Sequence, residues 1–257
     1  VHTHLDWHDS RTWLETFDSP VRLAWDGERL CGMIAASVPM DGTSWLRLIG
    51  IADHTDSEAL FKVLWHDIRA ILHDEGVHTV AVLVIDDWLT PYVTRAGFSY
   101  EEDIITLRRE GKNLPPLREH TLSIRHTAPE DIRRITEVDQ RAFVAPWQLT
   151  FADLRQAKRI AASCTVAEYN GEIVGYQLST LFRHSGHLAR LAVLPEMQGK
   201  GVGSVLLDDL IQRFLRRSIA TVTVNTQSSN IRSQRVYERY GFSRNGYDLP
   251  VWMTKIR

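Results

Sequence analysis

Apolar residues recur at helical spacing in two long stretches, one in each half of the chain. They return every three or four positions, which places them on one face of a helix. They are Leu60, Val63, Leu64, Ile68, Ile71 and Leu72 in the first half, and Leu206, Leu207, Leu210, Ile211 and Phe214 in the second. Because an apolar helical face has to be buried, we expect each helix to pack on a sheet.

A segment rich in β-branched residues follows each of these helices. The two segments span residues 77–85 and 220–224. β-Branched residues favour strands, and the alternation of helix with strand indicates a mixed sheet covered by helices. The sequence therefore predicts an α/β fold in each half.

The two halves repeat one another in order. Residues 23–32 (LAWDGERLCG) and 166–175 (VAEYNGEIVG) both indicate a strand, an Asp/Asn-Gly turn and a second strand. Further on, an Arg-x-Gly-Phe sequence occurs at 95–98 and again at 239–242. The offset is 144 in both cases, from Gly27 to Gly171 and from Gly97 to Gly241. Collinear copies of this kind predict a tandem repeat.

A linker is predicted between the two copies at residues 111–120. This segment (GKNLPPLREH) combines two prolines, a glycine and several charges, and it shows no apolar period. We therefore expect domains over residues 1–110 and 121–257. The second should open with a strand at 122–125 and a helix capped by Thr127, whereas the lead-in of the first offers only a short helical stretch around residues 10–17.

Composition and charge exclude several classes of function. The 257 residues, 44% hydrophobic and 24% charged, are typical of a globular protein. A formal charge of −2 does not favour binding to nucleic acid or to an anionic membrane. The apolar runs are shorter than the roughly 18–20 residues that cross a bilayer. We expect a cytoplasmic protein, a monomer or homodimer, without nucleic-acid or membrane partners.

Neither the cysteines nor the N-terminal histidines predict a metal site or a disulfide framework. Cys31 and Cys164 lie in apolar surroundings and lack zinc-ligand spacing. His2, His4 and His8 lie close together, but no frame of carboxylate or cysteine ligands accompanies them. We therefore expect no metal.

The segment that carries most chemistry is residues 187–203 (HLARLAVLPEMQGKGVG), which leads from a strand through a glycine loop into the second long helix. Gly199, Gly201 and Gly203 allow sharp backbone turns and leave N–H groups unpaired, and the helix adds the positive end of its dipole. Such a loop can hold a pyrophosphate. A glycine-rich turn without a ligand is the alternative at this point.

Two motifs together resemble one family. Residues 198–203 (QGKGVG) fit the Gln/Arg-x-x-Gly-x-Gly/Ala acyl-CoA loop of the GCN5-related N-acetyltransferase (GNAT) superfamily, and residues 230–242 (NIRSQRVYERYGF) match its Asn…Tyr…Gly-Phe signature. The resemblance is strong over residues 121–257 and rests on fold pattern alone over 20–110. It implies two tandem GNAT folds, each a mixed, mostly antiparallel sheet flanked by helices. It also implies acetyl-CoA as cosubstrate of the second copy.

The resemblance further implies roles for particular residues. Tyr237 would protonate the departing thiolate, and Asn230 would bind the cofactor or the acceptor. The strand backbone would polarise the thioester carbonyl, and stabilisation of an oxyanion is usually the largest catalytic contribution in acyl transfer. The implied cofactor-binding residues are Leu191, Ala192, Val193, Gln198, Gly199, Lys200, Gly201, Val202, Gly203, Ser204, Asn230, Ser233 and Tyr237.

A proton acceptor is also expected, because an attacking amine must be neutral. His187 shares strand parity with Leu191 and Val193, so it is the first candidate for a catalytic base, against a solvated or structural histidine. Glu168 is a weaker candidate.

The acceptor amine stays open. Around residues 142–147 and at Tyr237 the chain is similar to ribosomal-protein alanine N-acetyltransferases, but their strand glutamate falls on Asn225, which cannot act as a base. A small molecule, a peptide N-terminus and a lysine side chain remain alternatives. A rival hypothesis of another class is a non-catalytic acyl-CoA-binding regulatory or interaction module.

The first copy lacks the residues that carry this chemistry. Its corresponding turn, residues 50–58 (GIADHTDSE), has no glycine motif and contains acidic residues that would repel an anion. Subtracting the offset of 144 from Tyr237 and Asn230 gives Val93 and Asp86. We therefore expect a degenerate GNAT-like domain that supports the catalytic one or lines its acceptor cleft.

Overall fold

The computed structural model describes residues 1–5, 7, 9–16 and 18–256, and contacts divide the chain into two compact units. The first unit comprises Val1–Asp103 with Leu249–Arg257, and the second comprises Ile104–Asp248. These boundaries differ from the predicted ones, 1–110 and 121–257. The reason is strand pairing, since residues 104–109 pair within the second unit and residues 251–255 pair within the first.

The first unit is an α/β arrangement around one helix and a sheet. Its elements are β1 (His2–Thr3), α1 (Ser10–Thr16), β2 (Val21–Asp26), β3 (Arg29–Ala36), β4 (Thr43–Ile51), α2 (Ser57–Asp74), β5 (Thr79–Leu83), α3 (Thr90–Arg95) and the start of β6 (Ser99–Arg109). Strands β2, β3 and β4 are antiparallel neighbours, and β5 pairs with β4 in parallel. The predicted order of elements is therefore present in this unit.

The buried face of α2 only partly follows the prediction. Leu64, Ile68 and Leu72 are buried as expected, but Val63 is 56% exposed. Phe61 and Trp65 lie on the buried face instead, and Val63 stands two residues, about 200° of helix rotation, from both. The larger aromatic side chains thus determine which face packs on the sheet.

The second unit contains the elements that carry the motifs. They are β7 (Ser123–His126), α4 (Ile132–Ala142), α5 (Phe151–Ile160), β8 (Ser163–Tyr169), β9 (Glu172–Phe182), β10 (Ser185–Val193), α6 (Val202–Arg216), β11 (Thr221–Gln227), α7 (Ile231–Arg239) and the start of β12 (Ser243–Lys255). The strands follow the order β6, β11, β10, β9, β8, β7, in which β10 and β11 are parallel. All five apolar residues predicted for α6 are buried in its core.

The start of α4 differs from the prediction. Thr127 does not cap the helix, because its hydroxyl donates a hydrogen bond to the Cys164 sulfur at 3.2 Å. A short 3-10 turn (Pro129–Asp131) precedes the helix instead, and the Asp131 carboxylate accepts the Ala128 N–H at 2.7 Å. Within the described residues, none of these helices combines the length and the apolar character needed to cross a bilayer.

Candidate functional site

Strands β10 and β11 pair at one end and separate at the other. Residues 185–188 of β10 pair in parallel with residues 221–224 of β11. Beyond this point β10 continues only on β9, through Val193, and β11 continues on β6, through Gln227. Among the described strands, one edge of β10 therefore has no strand partner from Arg190 to Val193. We call the space along this edge the second-unit gap.

The backbone groups of Leu191 and Val193 face this gap. The Leu194 N–H donates to the Val174 carbonyl of β9 at 2.9 Å. Because hydrogen-bonding direction alternates along a strand, Ala192 also faces β9, whereas Leu191 and Val193 face the other way. Of the three predicted strand residues, the structure thus places the polar backbone groups of two in the gap.

A bulge in β10 changes the expected position of His187. The pairing with β9 shifts between Leu188 and Arg190, so Ala189 is an extra residue that reverses the alternation of sides. The premise that His187 shares a face with Leu191 and Val193 is therefore wrong. Its Nδ1 lies 2.9 Å from the Thr223 hydroxyl, and burial lowers the pKa of the imidazole, which is neutral at pH 7.

The start of α6 lies against the same stretch of β10. A Cβ atom on Gly203 would stand 3.9 Å from side-chain atoms of Leu191 and of Val193. Gly199 and Gly201 have φ angles of 79° and 89°, a left-handed conformation that glycine adopts at little cost. Gly201 is the N-cap and has no side chain to accept the N–H groups of the first turn. These donors and the helix dipole form a positive site beside the second-unit gap.

Helix α7 is tied to the glycine loop. The Gln198 amide donates to the Val193 carbonyl at 3.1 Å, and its oxygen accepts from Arg232 at 2.6 Å. The Tyr240 hydroxyl donates to the Ser204 carbonyl at 3.0 Å. The structure therefore brings both sequence motifs together at one end of β10. Lys200 lies on the exposed part of the loop, with its amine 3.9 Å from the Met197 sulfur.

Asn230 has a structural partner in α7. It is the N-cap of the helix, and its side-chain oxygen accepts the Ser233 N–H at 3.1 Å. This fixes the direction in which α7 leaves β11. The structure thus gives Asn230 and Ser233 a shared capping interaction that the motif alone did not indicate.

Tyr237 is buried in the apolar core of the second unit. It belongs to the apolar cluster that contains Leu188 and Val224, which form the last parallel pair, and its ring packs on Phe242 at 5.7 Å between centroids. Burial raises the pKa of the phenol, so it keeps its proton at neutral pH. Within the described residues, no protein group forms a hydrogen bond with its hydroxyl, which is therefore free to contact a ligand.

A buried ion pair on the other face of β10 was not predicted from the sequence. Asp139 of α4 is fully buried and accepts two hydrogen bonds from Arg190, at 2.7 and 2.8 Å. The same carboxylate accepts the Tyr176 hydroxyl at 2.6 Å and the Leu149 N–H at 2.9 Å. A charged residue inside the apolar strand sequence LARLAV was the signal that could have indicated it.

The same arginine holds the loop between α4 and α5. Arg190 donates to the Trp147 carbonyl at 2.5 Å, and its guanidinium lies 3.6 Å from the centre of the Phe143 ring. Val144, between them, is 75% exposed. This loop is therefore fixed at the strand residue that begins the second-unit gap.

The other candidates have structural partners or lie away from the gap. Glu168 accepts hydrogen bonds from Arg125 at 2.8 Å and from Ser123 at 3.1 Å, which holds it on β7 and β8. Burial raises the pKa of the Cys164 thiol, so it is a poor nucleophile. Asn225 is exposed on β11.

No metal centre is evident in the part of the chain that the structure describes. No group of three or more His, Cys, Asp or Glu side chains there is arranged to hold an ion. Of the three N-terminal histidines, His8 lies outside the described residues.

Comparison with known proteins matches most of the second unit to one protein family. Residues 132–242 match the model of the acetyltransferase (GNAT) family. A 97-residue segment is 36% identical to the spore coat polysaccharide biosynthesis protein SpsD of Bacillus subtilis and covers 37% of this chain but only 34% of that protein. A 125-residue segment is 27% identical to the ribosomal protein bS18-alanine N-acetyltransferase of Haemophilus influenzae, covering 47% of this chain and 84% of that enzyme.

Solved structures extend the likeness of fold over both units. A tandem GNAT protein from the clavulanic acid biosynthesis pathway matches with a TM-score of 0.63 and 14% identity, covering 100% of this chain and 91% of that one. A GCN5-related N-acetyltransferase from Sphaerobacter thermophilus matches with a TM-score of 0.62 and 18% identity, covering 96% and 84%. The predicted α/β fold, a mixed sheet flanked by helices, is confirmed.

Proposed function

We propose that this chain is an N-acetyltransferase that moves the acetyl group of acetyl-CoA to a primary amine, because residues 132–242 match the model of the acetyltransferase (GNAT) family. The observation that carries the proposal is the second-unit gap, whose free edge at Leu191 and Val193 lies beside the first turn of α6. A pantetheine arm offers amide groups that can pair with such an edge. A pyrophosphate is the kind of anion that a helix start can bind.

The residues at the gap fit this cosubstrate. The amides of Val202, Gly203 and Ser204 open α6 behind an N-cap without a side chain, which leaves room for phosphate oxygens. The backbone groups of Leu191 and Val193 supply donors and acceptors for the pantetheine amides. Gln198 holds the Val193 carbonyl and thereby the end of the strand. Asn230 supports the site indirectly, because its side chain caps α7 and fixes where that helix begins.

Acetyl-CoA supplies a thioester whose carbonyl carbon can bond to a neutral amine nitrogen. In the proposed reaction the Leu191 N–H donates to the carbonyl oxygen and stabilises negative charge that develops there. The new C–N bond forms, the C–S bond breaks, and the Tyr237 phenol gives its proton to the sulfur. The tyrosinate then regains a proton from solvent, which its raised pKa favours.

The proton that the amine loses needs an acceptor. His187 is neutral at pH 7 because burial lowers the pKa of its ring, so it can accept a proton directly or through water. The bulge at Ala189 places it on the face of β10 that also carries Arg190. We propose His187 as the base from this side of the strand, and a purely structural contact with Thr223 is the alternative.

We leave the acceptor as a primary amine of a small molecule or of a peptide. One relative acts on an alanine of a ribosomal protein and the other belongs to spore coat polysaccharide biosynthesis, by their names. The loop that Arg190 holds includes the exposed Val144 and lies on the face of β10 opposite α6, and we assign this surface to the acceptor.

The test is release of free thiol from acetyl-CoA with a panel of amines. The panel contains a peptide with an N-terminal alanine, a peptide with an internal lysine, an amino sugar and a polyamine. We expect one class to stimulate release by the parent protein and Tyr237→Phe to bind CoA but release thiol slowly. CoA binding without release for any amine would favour the regulatory binding module. Absence of CoA binding would overturn the proposal.

A further inference from the structure

The first unit contains a gap built in the same way. Strand β4 pairs in parallel with β5 only over Thr43–Trp45, and beyond that point it continues on β3. Its pairing with β3 shifts between Leu46 and Leu48, so Arg47 is an extra residue, as Ala189 is in β10. We call the space along the free edge of β4 the first-unit gap.

Strand β1 occupies this first-unit gap. His2 pairs with Ile49 and Thr3 pairs with Leu48, antiparallel to β4. Ile49 pairs on its other edge with Ile34 of β3, so β1 lies on the edge that β5 leaves. The chain's own N-terminal residues therefore supply the strand partner that the corresponding edge of β10 lacks among the described strands.

Main-chain hydrogen bonds hold β1 on β4, and one of them uses the counterpart of a residue that faces the second-unit gap. The His4 N–H donates to the Arg47 carbonyl at 2.9 Å. Because bonded pairs alternate in an antiparallel ladder, the next such pair is His2 with Ile49. Ile49 stands six residues after Thr43, the first parallel-paired residue of β4, and Leu191 stands six residues after Ser185 of β10. His2 is thus bonded to the counterpart of Leu191.

The start of α2, the helix that occupies the place of α6 in the order of elements, is also occupied. Asp56 caps α2, and its carboxylate accepts the Ala59 N–H at 3.1 Å. In the second unit, Gly201 stands at the start of α6 and offers no such group. A carboxylate at a helix N-terminus satisfies the same donors and dipole that would bind a phosphate. Both places that we assign to acyl-CoA in the second unit are therefore filled by protein groups in the first.

The side chain of His2 is enclosed as well. It is fully buried, and neither ring nitrogen has a hydrogen-bond partner in the described part of the chain. The next residue but one, His4, packs edge-on against Trp45 of β4 at 5.4 Å between ring centroids. The residues before and after Thr3 therefore both pack against the first unit, and β1 is an integral strand of that unit.

We propose that the first-unit gap is a site for an extended peptide strand, filled by residues 2–4 of this chain, and that the first unit consequently does not bind acyl-CoA. The inference rests on the proposed function, because it takes the second-unit gap as the acyl-CoA site. Recognition is through main-chain hydrogen bonds to Arg47 and Ile49, the mode in which strands add to a free sheet edge. The enclosed His2 side chain adds selectivity.

The test compares His4→Pro with His4→Ala in the full chain. Both remove the imidazole, but only proline removes the N–H that bonds to Arg47. We expect the amide of Ile49 to exchange hydrogen at least tenfold faster in His4→Pro than in His4→Ala, with the amide of Leu48, which faces β3, unchanged. A peptide with the sequence of residues 1–8 should restore protection. Equal exchange in the parent and both variants, or no effect of the peptide, would overturn the proposal.

Titration with CoA separates this proposal from the proposed function. We expect one CoA per chain in the parent and none in Gly201→Val, whose substitution alters only the second unit. CoA binding by Gly201→Val, accompanied by faster exchange at Ile49, would show that CoA displaces β1 and would overturn the strand-site proposal alone. Absence of CoA binding by the parent would overturn the proposed function, and the exchange result would still stand by itself.

Discussion

Asp139 and Arg190 form a two-pronged ion pair inside the second unit, with the guanidinium donating to both carboxylate oxygens at 2.7 and 2.8 Å. The Asp139 side chain is 0% exposed and that of Arg190 is 13% exposed. Arg190 directly follows the bulge at Ala189, where β10 separates from β11. The pair therefore connects α4 to the strand segment whose edge faces the second-unit gap.

We expect Asp139→Asn to lower the free energy of unfolding by about 3–5 kcal/mol, because it leaves the buried Arg190 charge without its partner. Urea denaturation of the variant would measure the loss. The control is the double variant Asp139→Asn with Arg190→Met, which removes both charges but keeps an amide oxygen that can accept from Tyr176 or Leu149, so it should recover part of the stability. A loss below about 1 kcal/mol for Asp139→Asn would mean that the ion pair does not hold the fold together.

Two glycines at the start of α6 should respond differently to alanine. Gly201 has a φ of 89°, so Gly201→Ala should cost about 1–2 kcal/mol of stability and weaken CoA binding by shifting the first-turn amides. At Gly203 an added Cβ meets only ordinary contacts at 3.9 Å, and the residue is helical. Gly203→Ala should therefore be at least as stable as the parent. Thermal unfolding and CoA titration of both variants check this, and equal destabilisation would contradict it.

The sequence was sufficient for features that depend on local pattern. The apolar period of α6 correctly predicted five of its buried residues, and the glycines of the preceding motif correctly predicted sharp backbone turns, at Gly199 and Gly201. Both features lie within short stretches of chain. Their physical causes, helical periodicity and the freedom of glycine to adopt a positive φ, can be recognised from the residue types.

Features that depend on pairing between distant residues were missed. The bulge at Ala189 reversed the side on which His187 lies, and alanine carries no signal for a bulge. Strand β1 has two residues, too few for an alternating pattern, and its partner Ile49 is far along the chain. The partner of Arg190 could not be identified for the same reason, although a charge in an apolar strand indicated that one was needed.

Tyr237→Phe should separate catalysis from stability. The Tyr237 hydroxyl has no protein partner within the described residues, so we expect an unchanged or slightly higher free energy of unfolding. Loss of a proton donor should slow acetyl transfer by about 10²–10⁴-fold. The matched control is Tyr240→Phe, which loses the hydrogen bond to Ser204 and should cost about 1 kcal/mol of stability. A Tyr237→Phe variant that turns over as fast as the parent would remove Tyr237 from the mechanism.

The buried His2 should make stability depend on pH. Burial is the main cause that lowers the pKa of His2 from 6.5 to about 4, and repulsion from His4 is the next. The negative charge of Asp86 raises this pKa in part, whereas the N-terminus and Arg47 lower it further. The unfolded chain therefore binds more protons than the folded one between these values. The stability that the folded chain gains by keeping His2 neutral is therefore fully present above pH 6.5, and it is lost as the pH falls towards 4.

Between pH 7 and pH 5 this linkage should remove about 2 kcal/mol from the free energy of unfolding. Urea denaturation of the parent and of His2→Leu at pH 5, 6 and 7 isolates the share that belongs to His2, because His187 and other groups titrate in both proteins. We expect the free energy of unfolding to fall less between pH 7 and pH 5 in His2→Leu than in the parent. Exchange at the Ile49 amide should accelerate at low pH, beyond the intrinsic effect of pH, only in the parent, since charging His2 favours release of β1. Parallel stability curves for the two proteins would mean that His2 is not enclosed as the structure shows.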